Sequence, residues 1–178
     1  RFSVTESGEL NVKDGRGQLE TKGKYGDFAL RLECQTHAPA LNSGIFFRCI
    51  PKLEMMGYEC QIQNGMKDND PKQPADCGTG GIFRRKNARR IIAEDQKWFS
   101  MTLIADGPHM AAWVNGVQVS DWTDKRKPHE NPRKGLRTDA GTIMIQGHDP
   151  TTDISFRNLH LAEIAARNLP PRQGKPAE

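Results

Sequence analysis

The chain has 178 residues, enough for one domain that buries most of its apolar surface. Hydrophobic residues make up 35% of the sequence and charged residues 27%, a composition typical of a folded but rather polar domain. The net charge of +4 is too small to indicate a nucleic-acid partner. No apolar run reaches the roughly 18 residues of a membrane span.

Three segments in the first half of the chain alternate apolar and polar residues with a period of two, which predicts β-strands. They are "DFALRLECQ" (27–35), "SGIFFRC" (43–49) and "GYECQI" (57–62). In the second and third segments the alternation predicts one buried face, made of Ile45, Phe47, Cys49, Tyr58, Cys60 and Ile62. It assigns to the opposite face Phe46, Arg48, Glu59 and Gln61.

The second half of the chain continues the strand pattern. Residues 98–122 read as three strands joined by two turns, and the Asn115-Gly116 pair is a strong hairpin signal. "GTIMIQGHD" and "DISFRNLHLAEI" predict two last strands, separated by a turn near Asp149-Pro150. Since helical periodicity is almost absent, we predict an all-β sandwich of two antiparallel sheets or a jelly roll over residues 1–165. Residues 63–78 and 84–97 are predicted long loops, and 166–178 a polar, Pro-rich tail or linker.

One outer face of this sandwich is unusually polar. By strand parity, Gln146 and His148 join the polar face formed by the second and third segments, and Asn42 directly precedes one of those segments. Planar amides and carboxylates pair with adjacent sugar hydroxyls, and an aromatic ring such as Phe46 packs on a sugar's C–H face. The residue types therefore favour a carbohydrate groove.

The four cysteines, Cys34, Cys49, Cys60 and Cys77, lack the spacing of a zinc site. Cys49 and Cys60 lie on strands that we expect to be neighbours, so either a disulfide or two free buried thiols fits the pattern.

Seven motifs, in this order and spacing, resemble the 3-keto-disaccharide hydrolase domain family, formerly a domain of unknown function. They cover about residues 2–164 and are "YGDFAL", "NSGIFFR", "GYECQI", "TGGIF", "VNGVQV", "IQGHD" and "ISFRNLHL". The resemblance implies a concanavalin A-like jelly roll, a periplasmic or secreted bacterial protein, and cleavage of glycosides whose sugar carries a ketone at carbon 3. The family's opening "LFNG.DL..W" segment is absent here, so we expect the first strand to be missing or diverged.

A 3-keto sugar has an acidic proton on carbon 2, so elimination followed by hydration is a plausible route that needs one base and one group that stabilises an enolate. We predict Glu59 as the base, His148 as the second candidate, and Arg48 at the enolate. Hydroxyl-binding and ring-packing positions are predicted at Asn42, Phe46, Gln61 and Gln146. A divalent metal held by Glu59 and His148 is the alternative to Arg48.

Simpler interpretations of the same residues exist. Glu59 and Arg48 could form a cross-strand ion pair on a solvated sheet face, and His148 and Asn42 could be turn residues. The whole domain could also be a non-catalytic glycan-binding module, because this fold hosts lectins as well as enzymes. The basic stretch "FRRKNARR" (83–90) is predicted to be a solvated loop that could border the groove and meet an acidic glycan.

Overall fold

The computed structural model describes residues 1–165, which form eleven β-strands and one short 3-10 turn at Lys67–Asn69. The predicted tail, residues 166–178, lies outside the described residues. The strands are β1 Phe2–Val4, β2 Leu10–Lys13, β3 Gly17–Glu20, β4 Phe28–Thr36, β5 Ser43–Cys49, β6 Tyr58–Ile62, β7 Phe99–Asp106, β8 His109–Val114, β9 Val117–Thr123, β10 Thr142–Gly147 and β11 Asp153–Glu163.

The strands form two antiparallel sheets, as predicted. A seven-stranded sheet has the order β1-β2-β11-β4-β7-β8-β9, and a four-stranded sheet has the order β3-β10-β5-β6. Alternating apolar residues of both sheets meet in one core, to which β4, for example, contributes Phe28, Leu30, Leu32 and Cys34. The strands that periodicity predicted correspond to β4 through β11, whereas the three short strands β1–β3 carry no clear alternation.

Strand β5 departs from the predicted alternation at its end. Thr142 of β10 faces Cys49 while Met144 faces Phe46, so β5 has one more residue in this interval than β10 does. The extra residue makes a β-bulge, in which Arg48 has the left-handed φ of 50°. After the bulge, side chains therefore point to the side of the sheet opposite to the predicted one. Cys49 packs with Phe46 and Met144, outside the main core.

The bulge places Cys49 and Arg48 differently from the prediction. Cys60 belongs to the main core while Cys49 lies on the other face of the sheet, and all four cysteines are free thiols. The predicted placement of Arg48 on the polar outer face is also wrong. Its side chain is completely buried, bonded to Asp27 and to three backbone carbonyl oxygens.

The outer face of the four-stranded sheet is the surface that positions the site. Two long, strandless stretches follow β6, at 63–78 and 84–97, and they confirm the predicted loops. The short segment between the two stretches is tied to β6 by backbone hydrogen bonds from Gly80 N to Gln61 O and from Gln61 N to Gly81 O. Within residues 1–165, no helix is long and apolar enough to cross a membrane.

Candidate functional site

A polar cleft of about 140 Å³ lies on the outer face of the four-stranded sheet. We call it the groove, and it is lined by Asn42, Phe46, Met55, Glu59, Gln61, Asp76, Phe83, Arg133, Gln146 and His148. Six of the seven residues that the sequence predicted for the site are in this set. The seventh, Arg48, is not.

Strand register explains how these residues come together. Phe46 on β5 pairs with Glu59 on β6, and Gly44 pairs with Gln61, so all four positions face the same way. Gly44 has no side chain, and a Cβ built there would lie 2.8 Å from Glu59 Oε1. The absence of that carbon lets the Glu59 carboxylate lie across the strand on the groove floor.

Glu59 is the most perturbed carboxyl group of the groove. Its side chain is only 6% exposed, and burial raises its pKa to about 7, since desolvation penalises the carboxylate. Asp76 also raises the pKa, whereas the charges of Arg133 and His148 lower it. Arg133 Nη2 lies 3.5 Å from Glu59 Oε2, a long ion pair. A carboxyl group with a pKa near neutrality can both accept and return a proton.

Two glutamine side chains present unpaired oxygen atoms. Gln61 donates through Nε2 to Asn42 Oδ1 at 3.2 Å and to Asp76 Oδ2 at 3.1 Å, which fixes its amide orientation. Gln146 Nε2 lies 3.2 Å from the Met55 sulfur. The Oε1 atoms of both glutamines are buried and lack a hydrogen-bond partner within residues 1–165. Because such acceptors are costly to leave unpaired, these two atoms are suited to hydroxyl donors of a ligand.

His148 lines the groove and directly follows β10 in the chain. Its Nδ1 lies 2.7 Å from Asp149 Oδ2, and the Asp149 pKa is lowered to about 2 by hydrogen bonds from Thr151 and His148. If Nδ1 carries the donated proton, the lone pair on Nε2 is free to act as a base or ligand. His148 is thus both bonded to its chain neighbour and a lining residue of the groove. Asn42 lines the groove just before β5 and donates to Asp76, which is 34 positions away in the chain.

The alternative interpretation, a cross-strand ion pair between Glu59 and Arg48, does not hold. Arg48 pairs with Asp27 at 2.8 Å, and the guanidinium that reaches Glu59 belongs to Arg133. The Arg133 guanidinium carbon lies 5.3 Å from the centre of the Phe46 ring, which is itself 1% exposed. Phe46 therefore packs in the groove floor under Arg133, without an open ring face of the predicted kind.

Sequence reasoning missed four residues that line the groove, Met55, Asp76, Phe83 and Arg133. All four come from the connections between strands, where no periodicity assigns a direction to a side chain. The prediction that long loops carry function pointed to the region of Asp76, but no signal distinguished Arg133 from its basic neighbours.

The predicted metal site is not supported by a ready-made ligand cluster. In the described range, no three His, Cys, Asp or Glu side chains converge where they could hold a metal ion. Glu59 and His148 do line the same groove, so a metal shared between these two residues and a substrate stays a prediction.

Comparison with known proteins adds a family to this geometry. Residues 2–162 match the profile of the 3-keto-alpha-glucoside-1,2-lyase-like domain. No curated protein matches the chain.

Solved structures share the fold. A proposed glycosyl hydrolase from Parabacteroides distasonis is 17% identical, with a TM-score of 0.73 over 92% of this chain and 83% of that one. The carbohydrate-binding module CBM66 from Bacillus subtilis is 13% identical, with a TM-score of 0.65 over 92% and 91%. A Bacillus subtilis protein of unknown function with a galectin-like fold is 13% identical, with a TM-score of 0.58 over 91% and 86%. The predicted concanavalin A-like jelly-roll sandwich is confirmed.

Proposed function

The chain belongs to the family of 3-keto-alpha-glucoside-1,2-lyase-like domains, and we propose that its groove cleaves the glycosidic bond of a 3-keto-glycoside. Membership of this family supports a carbohydrate-related function. The residues of the groove support the specific reaction. The observation that carries the proposal is Glu59, a buried carboxyl group with a pKa of about 7 beside two unpaired amide oxygens. A base poised near neutral pH is what proton abstraction beside a ketone requires.

The proposed reaction starts at carbon 2 of the sugar. Glu59 takes the proton from carbon 2, and the electrons of the C–H bond form an enolate whose charge rests on the carbon-3 oxygen. Re-formation of the ketone expels the aglycone oxygen from carbon 1 and leaves a double bond between carbons 1 and 2. Water then adds at carbon 1, so the net change is hydrolysis with no oxidant or reductant.

We assign stabilisation of the enolate to Arg133. Its guanidinium lies at the groove floor beside Glu59, held by a hydrogen bond from Nη2 to the Met55 carbonyl at 3.1 Å. A positive donor fixed where the negative charge develops lowers the barrier because it needs no rearrangement during the reaction. This role was predicted for Arg48, whose donors are already bonded to the protein.

His148 lines the groove beyond the two glutamines, and Asp149 orients its imidazole through Nδ1. Its side chain is 41% exposed, and we propose that Nε2 accepts a hydrogen bond from a sugar hydroxyl. Glu59 passes the proton that it took from carbon 2 to the departing aglycone oxygen. Gln61 and Gln146 accept hydroxyl donors of the sugar through their free oxygens. We also propose a periplasmic or secreted location, as the family resemblance of the sequence implies.

A second candidate function is glycan binding without catalysis. The free amide oxygens serve a ligand equally well in a lectin, and a carbohydrate-binding module shares the fold at a TM-score of 0.65. Glycan binding alone, however, does not require the raised pKa of Glu59, whereas proton abstraction near neutral pH does.

The experiment that separates the two functions is a sugar-release assay. The protein is incubated with 3-keto-trehalose and a 3-keto-glucoside, alongside the unoxidised sugars, with and without a chelator. We expect release from the keto substrates only. Binding of the sugars without release would establish the glycan-binding module, and loss of release with chelator would place a metal in the groove.

The raised pKa of Glu59 predicts opposite effects of pH on activity and on stability. Because the base must be ionised, kcat/KM should rise about tenfold per pH unit up to about pH 7 and then level off. Between the ordinary pKa of 4.5 and the raised value, the folded protein binds more protons than the unfolded chain, so Glu59 lowers the free energy of unfolding as pH rises. Urea unfolding of wild type and Glu59→Gln at pH 5 and pH 8 checks this. The free energy of unfolding of wild type, relative to that of the variant, should be lower at pH 8 than at pH 5. The same relative value at both pH values would contradict the prediction.

A further inference from the structure

A second, smaller cavity of about 90 Å³ adjoins the groove. It shares Glu59, Phe83 and Arg133 with the groove and extends beyond them to Arg84 and Arg85. We call it the arginine pocket. Because three residues line both cavities, a ligand that fills the groove can extend into this pocket without leaving the protein surface.

The arginine pocket is strongly positive. Three arginines, Arg84, Arg85 and Arg133, line it, and Glu59 is its only acidic lining residue among the described residues. The nearby Asp124 offsets these charges only in part, since it is held by Arg126 through three hydrogen bonds and by Tyr58. Burial and the charges of Arg126 and Arg133 lower the pKa of Arg85, and the charges of Asp124 and Tyr58 oppose this shift without cancelling it. Such crowding of like charges is unfavourable until an anion occupies the space.

The three guanidinium groups are held in place by other contacts. Arg85 Nη2 donates to the Arg133 carbonyl at 2.7 Å, which ties the loop after β6 to the loop before β10. Arg84 and Arg133 both pack near the Phe83 ring, at 5.2 and 5.9 Å from its centre. Within residues 1–165, neither Arg84 nor Arg85 forms a salt bridge, and the guanidinium fork is well suited to an oxyanion.

The orientation of the bound substrate follows from the position of Glu59 between the two cavities. The aglycone is bonded to carbon 1, next to the carbon whose proton Glu59 takes, so the aglycone must extend past Glu59. With the sugar hydroxyls at Gln61 and Gln146, the space on the other side of Glu59 is the arginine pocket. We propose that this pocket binds an anionic group, a carboxylate, sulfate or phosphate, on the aglycone or second sugar of the substrate. This inference rests on the proposed function.

The test uses a matched pair of substrates, the 3-keto-glucosides of 4-hydroxybenzoate and of its methyl ester. We expect KM for the free acid to be roughly tenfold lower than for the ester at low salt, and the difference to shrink at 0.5 M salt, about the concentration where exposed charges are screened. Arg84→Gln and Arg85→Gln should bring the ratio of the two KM values close to one. Arg90→Gln, in the same basic stretch but outside both cavities, should leave the ratio unchanged.

The outcomes separate this inference from the proposed function. Equal KM values for acid and ester would overturn the arginine pocket while leaving the glycosidase proposal intact. If neither substrate is cleaved, the proposed function fails, and calorimetric titration with the two unoxidised glucosides then measures the preference directly. Equal affinities there would also overturn the inference. Arg84 is exposed, so loss of folding is not expected in that variant. Competition by sulfate, phosphate or acetate identifies the preferred anion.

Discussion

Replacement of Glu59 by Gln is expected to reduce sugar release by at least about a hundredfold, the lower end of what a positioned base contributes. Gln keeps the size of the side chain and an oxygen that can accept from Arg133, but it cannot take a proton. The groove should therefore still bind the 3-keto-glycoside, with a dissociation constant within about threefold of wild type by the same reasoning. Release kinetics and calorimetric titration on the same preparation measure both quantities.

The matched control is Glu54→Gln, a carboxylate on the connection between β5 and β6. Glu54 is exposed and pairs with Arg16 outside the groove, so its neutralisation should change neither release nor binding. Full activity of the Glu59 variant would remove Glu59 as the base and leave His148 as the candidate. Loss of binding together with activity would instead make Glu59 a ligand of the sugar.

Replacement of Arg48 by Ala should have the largest effect on stability of any change in the sheet that carries the groove. Arg48 is completely buried, and its guanidinium bonds Asp27 at 2.8 Å and the carbonyl oxygens of Gly26, Gly107 and Arg137. Removing it leaves the three carbonyl oxygens unpaired, whereas Asp27, which is 34% exposed, can be solvated by water. Since one buried unpaired acceptor costs about 1–3 kcal/mol, we expect a loss of at least about 2 kcal/mol of folding free energy. Urea unfolding measures the loss.

Arg133→Gln is the informative contrast to Arg48→Ala. The Arg133 side chain is 34% exposed and its pair with Glu59 is long, so the free energy of unfolding should fall by only about 1 kcal/mol or less. Release of sugar should fall much further than stability does. If Arg48→Ala were instead stable and inactive, the enolate role would return to Arg48.

The polar face of the four-stranded sheet could be predicted because strand alternation has a fixed period. Glu59 and Gln61 on β6, and Gln146 on β10, lie where parity placed them. The prediction failed at Arg48, because the β-bulge inserts one residue that no sequence pattern announced. A single extra residue reverses the side of the sheet to which the following side chains point. The predicted side was therefore wrong for both Arg48 and Cys49.

The loop residues of the groove could not be predicted for a different reason. Arg133 reaches Glu59 from a loop more than seventy positions away in the chain, and its position depends on hydrogen bonds to Met55 and from Arg85. Such contacts follow from the packed fold and leave no local periodicity. The pairing of Gln61 with Asp76 across 15 positions is of the same kind.

In the proposed mechanism, Glu59 removes the proton on carbon 2 of a 3-keto-glycoside. The most direct measurement is exchange of that proton for deuterium in D₂O, followed by NMR with wild type, with Glu59→Gln and without protein. We predict that wild type exchanges the carbon-2 position at least as fast as it releases sugar, while the variant matches the sample without protein. Equal exchange by wild type and Glu59→Gln, or release by wild type with no loss of the carbon-2 hydrogen, would contradict this mechanism.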